Sequence, residues 1–126
     1  MSASSIFTFV PDVRRFTASD ARVARVAGNI RTPRQLFELF YQLLTLPGYF
    51  GFNWNALFDC LRDFHWISER TVVIVHDELP ELEPSEMKTY FEVLRDAVTD
   101  WKVGEAHSLQ VVFDERDRAR IEAVMK

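Results

Sequence analysis

The alternation of apolar and polar positions predicts two clear helices. Thr32 and Pro33 are typical of a helix start, because threonine can cap the first turn and proline fits the first helical position. The apolar residues that follow are spaced for one helix face, and Leu46-Pro47-Gly48 ends the pattern. The second helix is predicted over residues 85–101, where the spacing is the cleanest in the chain. Its apolar positions are Met87, Tyr90, Phe91, Leu94, Ala97, Val98 and Trp101.

Residues 71–75, TVVIV, form a continuous β-branched run, which is typical of a strand covered on both faces. Shorter strand candidates are residues 22–27, RVARVA, and residues 108–113, SLQVVF. The order β-α-α-β-α-β predicts an α/β fold with a small three-stranded parallel sheet packed with helices. Residues 5–10 allow an extra N-terminal strand, and residues 117–125 allow a C-terminal helix.

A third helix is predicted after an unusually aromatic loop. Either Asn53 or Asn55 can cap this helix, which is expected to run to about Phe64. Asp59 then lies opposite the apolar stripe, on one side with Asn55 and Arg62. Two interpretations stay open: a solvent-facing acid paired with Arg62, or an acid that an aromatic helix presents to a partner. The predicted stripe is Trp54, Leu57, Phe58, Leu61 and Phe64.

A second group of acids lies on the helix over residues 85–101. Glu92, Asp96 and Asp100 repeat every four residues, and like charges at this spacing destabilise a helix. Asp96 and Asp100 also lie near the C-terminal end, where the helix dipole disfavours anions. The net charge of the chain is −4, and the acids are concentrated in residues 77–105. Such a face disfavours direct binding of nucleic acid and favours a basic partner, although a solvated surface explains any single acid equally well.

The composition is that of one soluble domain of 126 residues. A single cysteine, Cys60, cannot form an intrachain disulfide, and neither a secretory signal nor a membrane-spanning run is evident, so we expect a cytoplasmic protein. Cys60 is expected to be a packed thiol. His76, Asp77 and Glu78 follow a strand and could form a site, but solvation of His76 in a loop is the favoured interpretation. The histidines lack metal-ligand spacing, and no glycine-rich phosphate loop occurs. We therefore predict no catalytic site, metal or cofactor.

The segment LPGYFGFNWNALFDCL resembles the signature of the barstar family, the intracellular inhibitors of the secreted ribonuclease barnase. The resemblance covers about residues 23–113 and leaves residues 1–20 as an N-terminal extension. It implies a three-stranded parallel sheet with helices, in agreement with the element order above. Phe50 and Phe58 are aromatic exchanges. The matching positions are Leu46, Pro47, Tyr49, Gly51, Asn53, Ala56, Leu57, Asp59, Cys60 and Leu61.

The resemblance also implies roles for individual residues. Tyr49 resembles the loop tyrosine that packs on the nuclease, and Gly51 the glycine that lets the backbone approach it. Asp59 resembles the central acid, which occupies the subsite for the RNA phosphate. Asp96 and Asp100 resemble two helix glutamates, of which the first pairs with the enzyme and the second adds to the negative potential. The predicted partner-binding residues are Tyr49, Phe50, Gly51, Asn53, Asn55, Phe58, Asp59, Asp96 and Asp100.

Several positions depart from the family pattern. Asn55 stands where the family has an interface aspartate, Phe52 replaces a glutamate, and Arg62 adds a cation close to Asp59. Phe58 takes the place of an interface tryptophan. The implied partner is a basic ribonuclease of the barnase type or a related toxin nuclease, which the protein would inhibit as an immunity protein or antitoxin. The alternative is a non-catalytic interaction module that binds a non-nuclease protein.

Overall fold

The computed structural model describes residues 6–126, so Ser5, where the possible N-terminal strand was predicted to begin, lies outside the described residues. The strands are β1 (Thr8–Val10), β2 (Ala21–Val26), β3 (Thr71–His76) and β4 (Ser108–Asp114). The helices are α1 (Pro33–Leu43), α2 (Trp54–Leu61), α3 (Pro84–Asp100) and α4 (Arg118–Met125). Short 3-10 turns occupy Val13–Arg15 and Glu115–Asp117.

The strands form one parallel sheet in the order β1-β4-β3-β2. The predicted α/β class and parallel sheet are confirmed, but the sheet has four strands rather than three. The additional strand is β1, which pairs with β4 so that Thr8 lies opposite Val112. The C-terminal helix that the sequence allowed is also present, as α4.

The central strand β3 is covered on both faces, as its continuous β-branched pattern predicts. On one face, Val72 and Ile74 belong to the main core, to which α1, α2 and α3 contribute. On the other face, Val73 and Val75 pack with Val13, which lies in the connection from β1 to β2. Residues 11–20 therefore cross the face of the sheet that the main core leaves uncovered.

Two charged side chains hold this crossing segment in place. Arg25 in β2 donates hydrogen bonds of 2.9 Å to the carbonyl oxygens of Val13 and Phe16, and it forms an ion pair of 2.8 Å with Asp77. Asp114, at the end of β4, accepts a hydrogen bond of 3.1 Å from the backbone N–H of Val13. Because these partners lie in three separate parts of the chain, the segment is fixed by long-range contacts that no local pattern reveals.

The helix α2 is shorter than predicted, ending at Leu61 rather than near Phe64. Phe64 adopts a left-handed backbone conformation with φ of 58°. This turn places its ring in the core, where it is fully buried and stacks on Trp101 with 5.9 Å between ring centroids. Phe64 was correctly expected in the core, but it reaches the core from the turn that follows the helix.

His76 is a buried residue, so the prediction of a solvated loop position is wrong. It is the last residue of β3 and is fully buried. Its Nε2 accepts a hydrogen bond of 2.6 Å from the hydroxyl of Tyr90, and its Nδ1 lies 3.3 Å from the carbonyl oxygen of Val112, to which it can donate. Burial lowers the pKa of His76 to about 3. The strand extends one residue beyond the apolar run of residues 71–75, so His76 is part of β3 and is not in the loop that follows.

The depressed pKa of His76 predicts a loss of stability in acid. Below pH 6.5 the unfolded chain binds a proton at this histidine, whereas the folded protein does so only near pH 3. The free energy of unfolding should therefore fall by up to about 1.4 kcal/mol for each pH unit as the pH decreases across this window. The variant His76→Gln keeps a donor and an acceptor but cannot titrate. Urea unfolding from pH 7 to pH 4 should show a shallower pH slope for the variant, and equal slopes would contradict the prediction.

Candidate functional site

The candidate site lies where the aromatic loop enters α2. Asn53 caps this helix, because its Oδ1 accepts a hydrogen bond of 2.8 Å from the backbone N–H of Ala56. Its Nδ2 donates to the carbonyl oxygen of Gly51 at 3.2 Å, so the same side chain also fixes the loop. A Cβ atom on Gly51 would lie only 3.0 Å from that nitrogen. Both asparagines that could cap the helix are exposed, and Asn53 is the one whose side chain accepts the capping hydrogen bond.

The loop aromatics divide into a buried and an exposed part. Phe50 is only 4% exposed, and its ring packs against Phe37 and Phe52 with centroids 6.2 and 4.8 Å apart. Tyr49, the preceding residue, is 69% exposed. Phe52 has a left-handed φ of 53°, and the guanidinium of Arg34 lies 4.6 Å from its ring centroid. The buried ring of Phe50 thus anchors a loop that presents Tyr49 outward.

A pocket of about 140 Å³ lies between this loop and α2. Tyr49 and Phe50 form one wall, and Asp59 and Asp63 provide two carboxylates. Asp63 was not among the predicted partner-binding residues, although its position four residues after Asp59 was a signal that could have found it. Asp63 also accepts from the ring Nδ1 of His65 at 2.8 Å in the appropriate tautomer. Aromatic walls beside two carboxylates suit the head of a cationic side chain.

The ionisation of the pocket residues reflects burial and negative charge. Burial, followed by the negative charges of Asp63 and Asp59, raises the pKa of the Cys60 thiol to about 11. The pKa of the Tyr49 hydroxyl is also raised, first by desolvation and then by the charge of Asp63. Both groups are therefore kept neutral. The same surroundings that disfavour another anion favour a cation.

Asp59 is not paired with Arg62, so that interpretation of the helix surface is wrong. Arg62 instead donates through Nε to Asp100 and through Nη2 to Glu105, the latter at 2.8 and 3.1 Å. Asp59 is exposed, and within residues 6–126 it forms no ion pair. It lies in the last turn of α2, where the helix dipole disfavours an anion. A cation from a partner would relieve this unfavourable position.

The remaining predicted residues lie around this acid with different surroundings. Phe58 is half-buried and packs against the main core, at the border between core and surface. Asp96 on α3 forms an exposed ion pair of 3.0 Å with Arg95. Asp100 is held by Arg62. Both α3 acids therefore already have a cation within the chain, in contrast to Asp59.

The family model described as Barstar (barnase inhibitor) matches residues 21–115. This range is about three quarters of the chain and includes the loop, α2 and α3. The chain belongs to the barstar family. Neither the curated proteins nor the solved structures returned a match. The barstar match leaves out β1, the first 3-10 turn and α4.

Membership of the barstar family indicates a barnase-type ribonuclease inhibitor. The family match includes Tyr49, Asp59 and the pocket between them. None of the helices within residues 6–126 has the length and apolar character needed to cross a membrane.

The capping role of Asn53 can be tested by comparing two asparagines of the barstar-like helix. Asn53→Ala should lower the free energy of unfolding by about 1 kcal/mol, because the first turn of α2 loses its cap. The matched control Asn55→Ala removes an exposed amide from the same turn and should change stability by less than about 0.5 kcal/mol. Urea unfolding measures both values. Equal losses would show that Asn53 does not hold the helix start.

The raised pKa of Cys60 predicts an unreactive thiol. With a pKa of about 11 and 4% exposure, little thiolate is present or accessible near pH 8. Ellman's reagent should react slowly with the folded protein and rapidly after unfolding in urea. A fast reaction in the folded state would contradict both the burial and the pKa shift.

Proposed function

We propose that this barstar-family protein inhibits a basic ribonuclease by inserting Asp59 and its pocket into the nuclease active site. The observation that carries the proposal is the surroundings of Asp59. It is an exposed carboxylate that no cation of residues 6–126 pairs with, beside an aromatic pocket, on a helix whose other face is fixed in the core. Such a carboxylate can take the place of an RNA phosphate opposite the arginines, lysines or histidine of a nuclease.

The pocket supplies further groups that would contact a partner cation bound at Asp59. A partner guanidinium that reaches Asp59 would also approach Asp63 and the ring of Tyr49. Closure of the two surfaces would remove water from these charges and strengthen their attraction. Tyr49 offers a large exposed ring to the nuclease surface, as expected of an interface anchor.

The neighbouring residues divide between contact and support in this proposal. Gly51 and Asn55 are exposed and would contact the nuclease through backbone and amide groups, while half-buried Phe58 would contribute the edge of its ring. Phe50 and Asn53 would act mainly by fixing the loop, since the first is buried and the second caps α2.

The acids of α3 would contribute less than Asp59 to affinity. Asp96 and Asp100 are already paired with Arg95 and Arg62, so a nuclease would gain little from either without breaking these pairs. Charges at the rim of an interface mainly change the association rate, and salt screens their effect. We therefore place the binding energy at the Tyr49–Asp59 pocket, with an immunity or antitoxin role in the cytoplasm as the biological setting.

A second candidate function is an interaction module for a non-nuclease protein. It is favoured by Phe52, which replaces an acid of the family pattern. The ring centroids of Phe52 and Tyr41 lie 5.3 Å apart. Affinity capture from the native cell separates the two functions. A basic nuclease as the main captured protein supports inhibition, whereas a regulator or an enzyme of another class supports the module.

The proposed inhibition is tested by screening basic ribonucleases, barnase among them, for loss of activity and for a one-to-one complex. With a nuclease that is inhibited, Asp59→Ala should weaken binding by about 2–5 kcal/mol, because a desolvated partner cation loses its counter-charge. Glu83→Ala is the control, since it removes an exposed acid at the start of α3 without a capping hydrogen bond. Isothermal calorimetry measures both affinities.

The outcome is informative in either direction. A large loss for Asp59→Ala, with unfolding free energy unchanged, supports Asp59 as the anchor. Equal losses for the two variants would mean that only general acidity matters. Failure to inhibit any ribonuclease in the screen would overturn the proposed function.

A further inference from the structure

Arg62 makes more interactions than any other surface cation near the candidate site. Its guanidinium donates through Nε to Asp100 and through Nη2 to both carboxylate oxygens of Glu105. It also lies 4.1 Å from the ring centroid of Trp101. Its side chain is only 25% exposed. This cation is therefore held in one place, at the end of α2, by two carboxylates and an aromatic face.

The groups that hold Arg62 are themselves fixed. The indole N–H of Trp101 donates to the carbonyl oxygen of Leu61 at 2.9 Å, and the ring stacks on buried Phe64. Glu105 also accepts a hydrogen bond of 2.6 Å from the backbone N–H of Lys102. The hydrogen bonds from Arg62 and Lys102 lower the pKa of Glu105, so this carboxylate stays ionised. A partner cation would have to displace Arg62 from a site that is already assembled.

The internal pairs divide the acids of this surface into two kinds. Asp59 and Asp63 line the open pocket, and neither is paired with a lysine or arginine within residues 6–126. Asp100 and Glu105, at the end of α3 and beyond it, share one guanidinium. One cationic side chain of a nuclease can bind to the carboxylates of Asp59 and Asp63 in the pocket. A second cationic side chain at the end of α3 meets the positive charge of Arg62.

We propose that Arg62 determines the specificity of this surface. By holding Asp100 and Glu105 in internal ion pairs, it limits the open acidic site to the pocket and selects against partners that carry a second cationic patch opposite the end of α3. The inference rests on the proposed inhibition of a basic protein and refines it. The preferred partner places a concentrated cationic group at the pocket and a neutral or acidic surface against Arg62.

The test measures how Arg62 limits the binding of cations, with a fluorescein-labelled hexa-arginine peptide as the probe. Arg62→Met removes the charge but keeps an apolar stem to pack on Trp101. At low salt it should bind the peptide roughly three- to ten-fold more tightly than the unchanged protein, with a steeper salt dependence. Arg62→Lys keeps the charge and should stay close to the unchanged protein. Adding Asp100→Asn to Arg62→Met should remove much of the gain.

Arg120→Met is the matched control. Arg120 forms a bidentate pair with Glu81 at 2.9 and 3.2 Å, so its loss changes the net charge equally and also frees one carboxylate. Glu81 follows the C-terminal end of β3, whereas Arg62 precedes the start of that strand, which places the two pairs at opposite ends of the sheet. Fluorescence anisotropy gives the affinities, and circular dichroism checks that each variant is folded.

A gain for Arg62→Met that exceeds the gain for Arg120→Met supports the proposal. Equal gains in peptide affinity would mean that only the change in net charge matters, and this would overturn the proposal. The absence of any gain for Arg62→Met would also overturn it. If Arg62→Met fails to fold, Arg62→Gln supplies the same comparison with a polar side chain that can still bond to the acids. These outcomes do not depend on the nuclease screen, so failure of the inhibitory function and failure of the role of Arg62 are distinguished.

Discussion

The requirement to bury both faces of β3 organises the rest of the molecule. Its side chains alternate between two cores, with Ile74 on the helical side and Val75 on the other. The helices cover only one of these faces, because the connections β2 to β3 and β3 to β4 step across the sheet in the same direction, and connections of one hand then lie on the same side. The connection from β1 to β2 covers the second face, and for this reason the segment around Val13 is part of the structure rather than an appendage.

The same packing determines what the candidate site can present. Leu57 and Leu61 are fully buried, so the rotation of α2 about its axis is fixed and Asp59 must face outward. Phe50 does the same for the loop, since its buried ring leaves Tyr49 on the outside. Packing of the hydrophobic core thus orients Asp59 and Tyr49 towards a common pocket, without a side-chain hydrogen bond or ion pair of their own within the described residues to hold them.

Local patterns were sufficient to predict most of the helices and strands and the outward position of Asp59. Thr32 accepts a hydrogen bond of 3.2 Å from Gln35 N and Asn53 caps α2, as their positions before apolar runs indicate. Distant partners were beyond such patterns. Arg62 lies near Asp59 in sequence, yet its partners are 38 and 43 positions away. His76 was expected to be solvated in a loop, whereas it is buried at the end of β3 and its ring is bonded to the hydroxyl of Tyr90 on α3.

The pairing of β1 with β4 has a consequence for how the chain folds during synthesis. The backbone of Val13 is bonded to Asp114 across 101 positions, and Phe7 and Phe9 both pack on Phe113. During synthesis β1 precedes its partner β4 by about 100 residues, so the two strands cannot pair until β4 is available. Closing so long a loop is slow. The rings of Phe7 and Phe9 therefore lack Phe113 as a packing partner on the nascent chain until β4 has left the ribosome, and apolar surface exposed in this way favours aggregation.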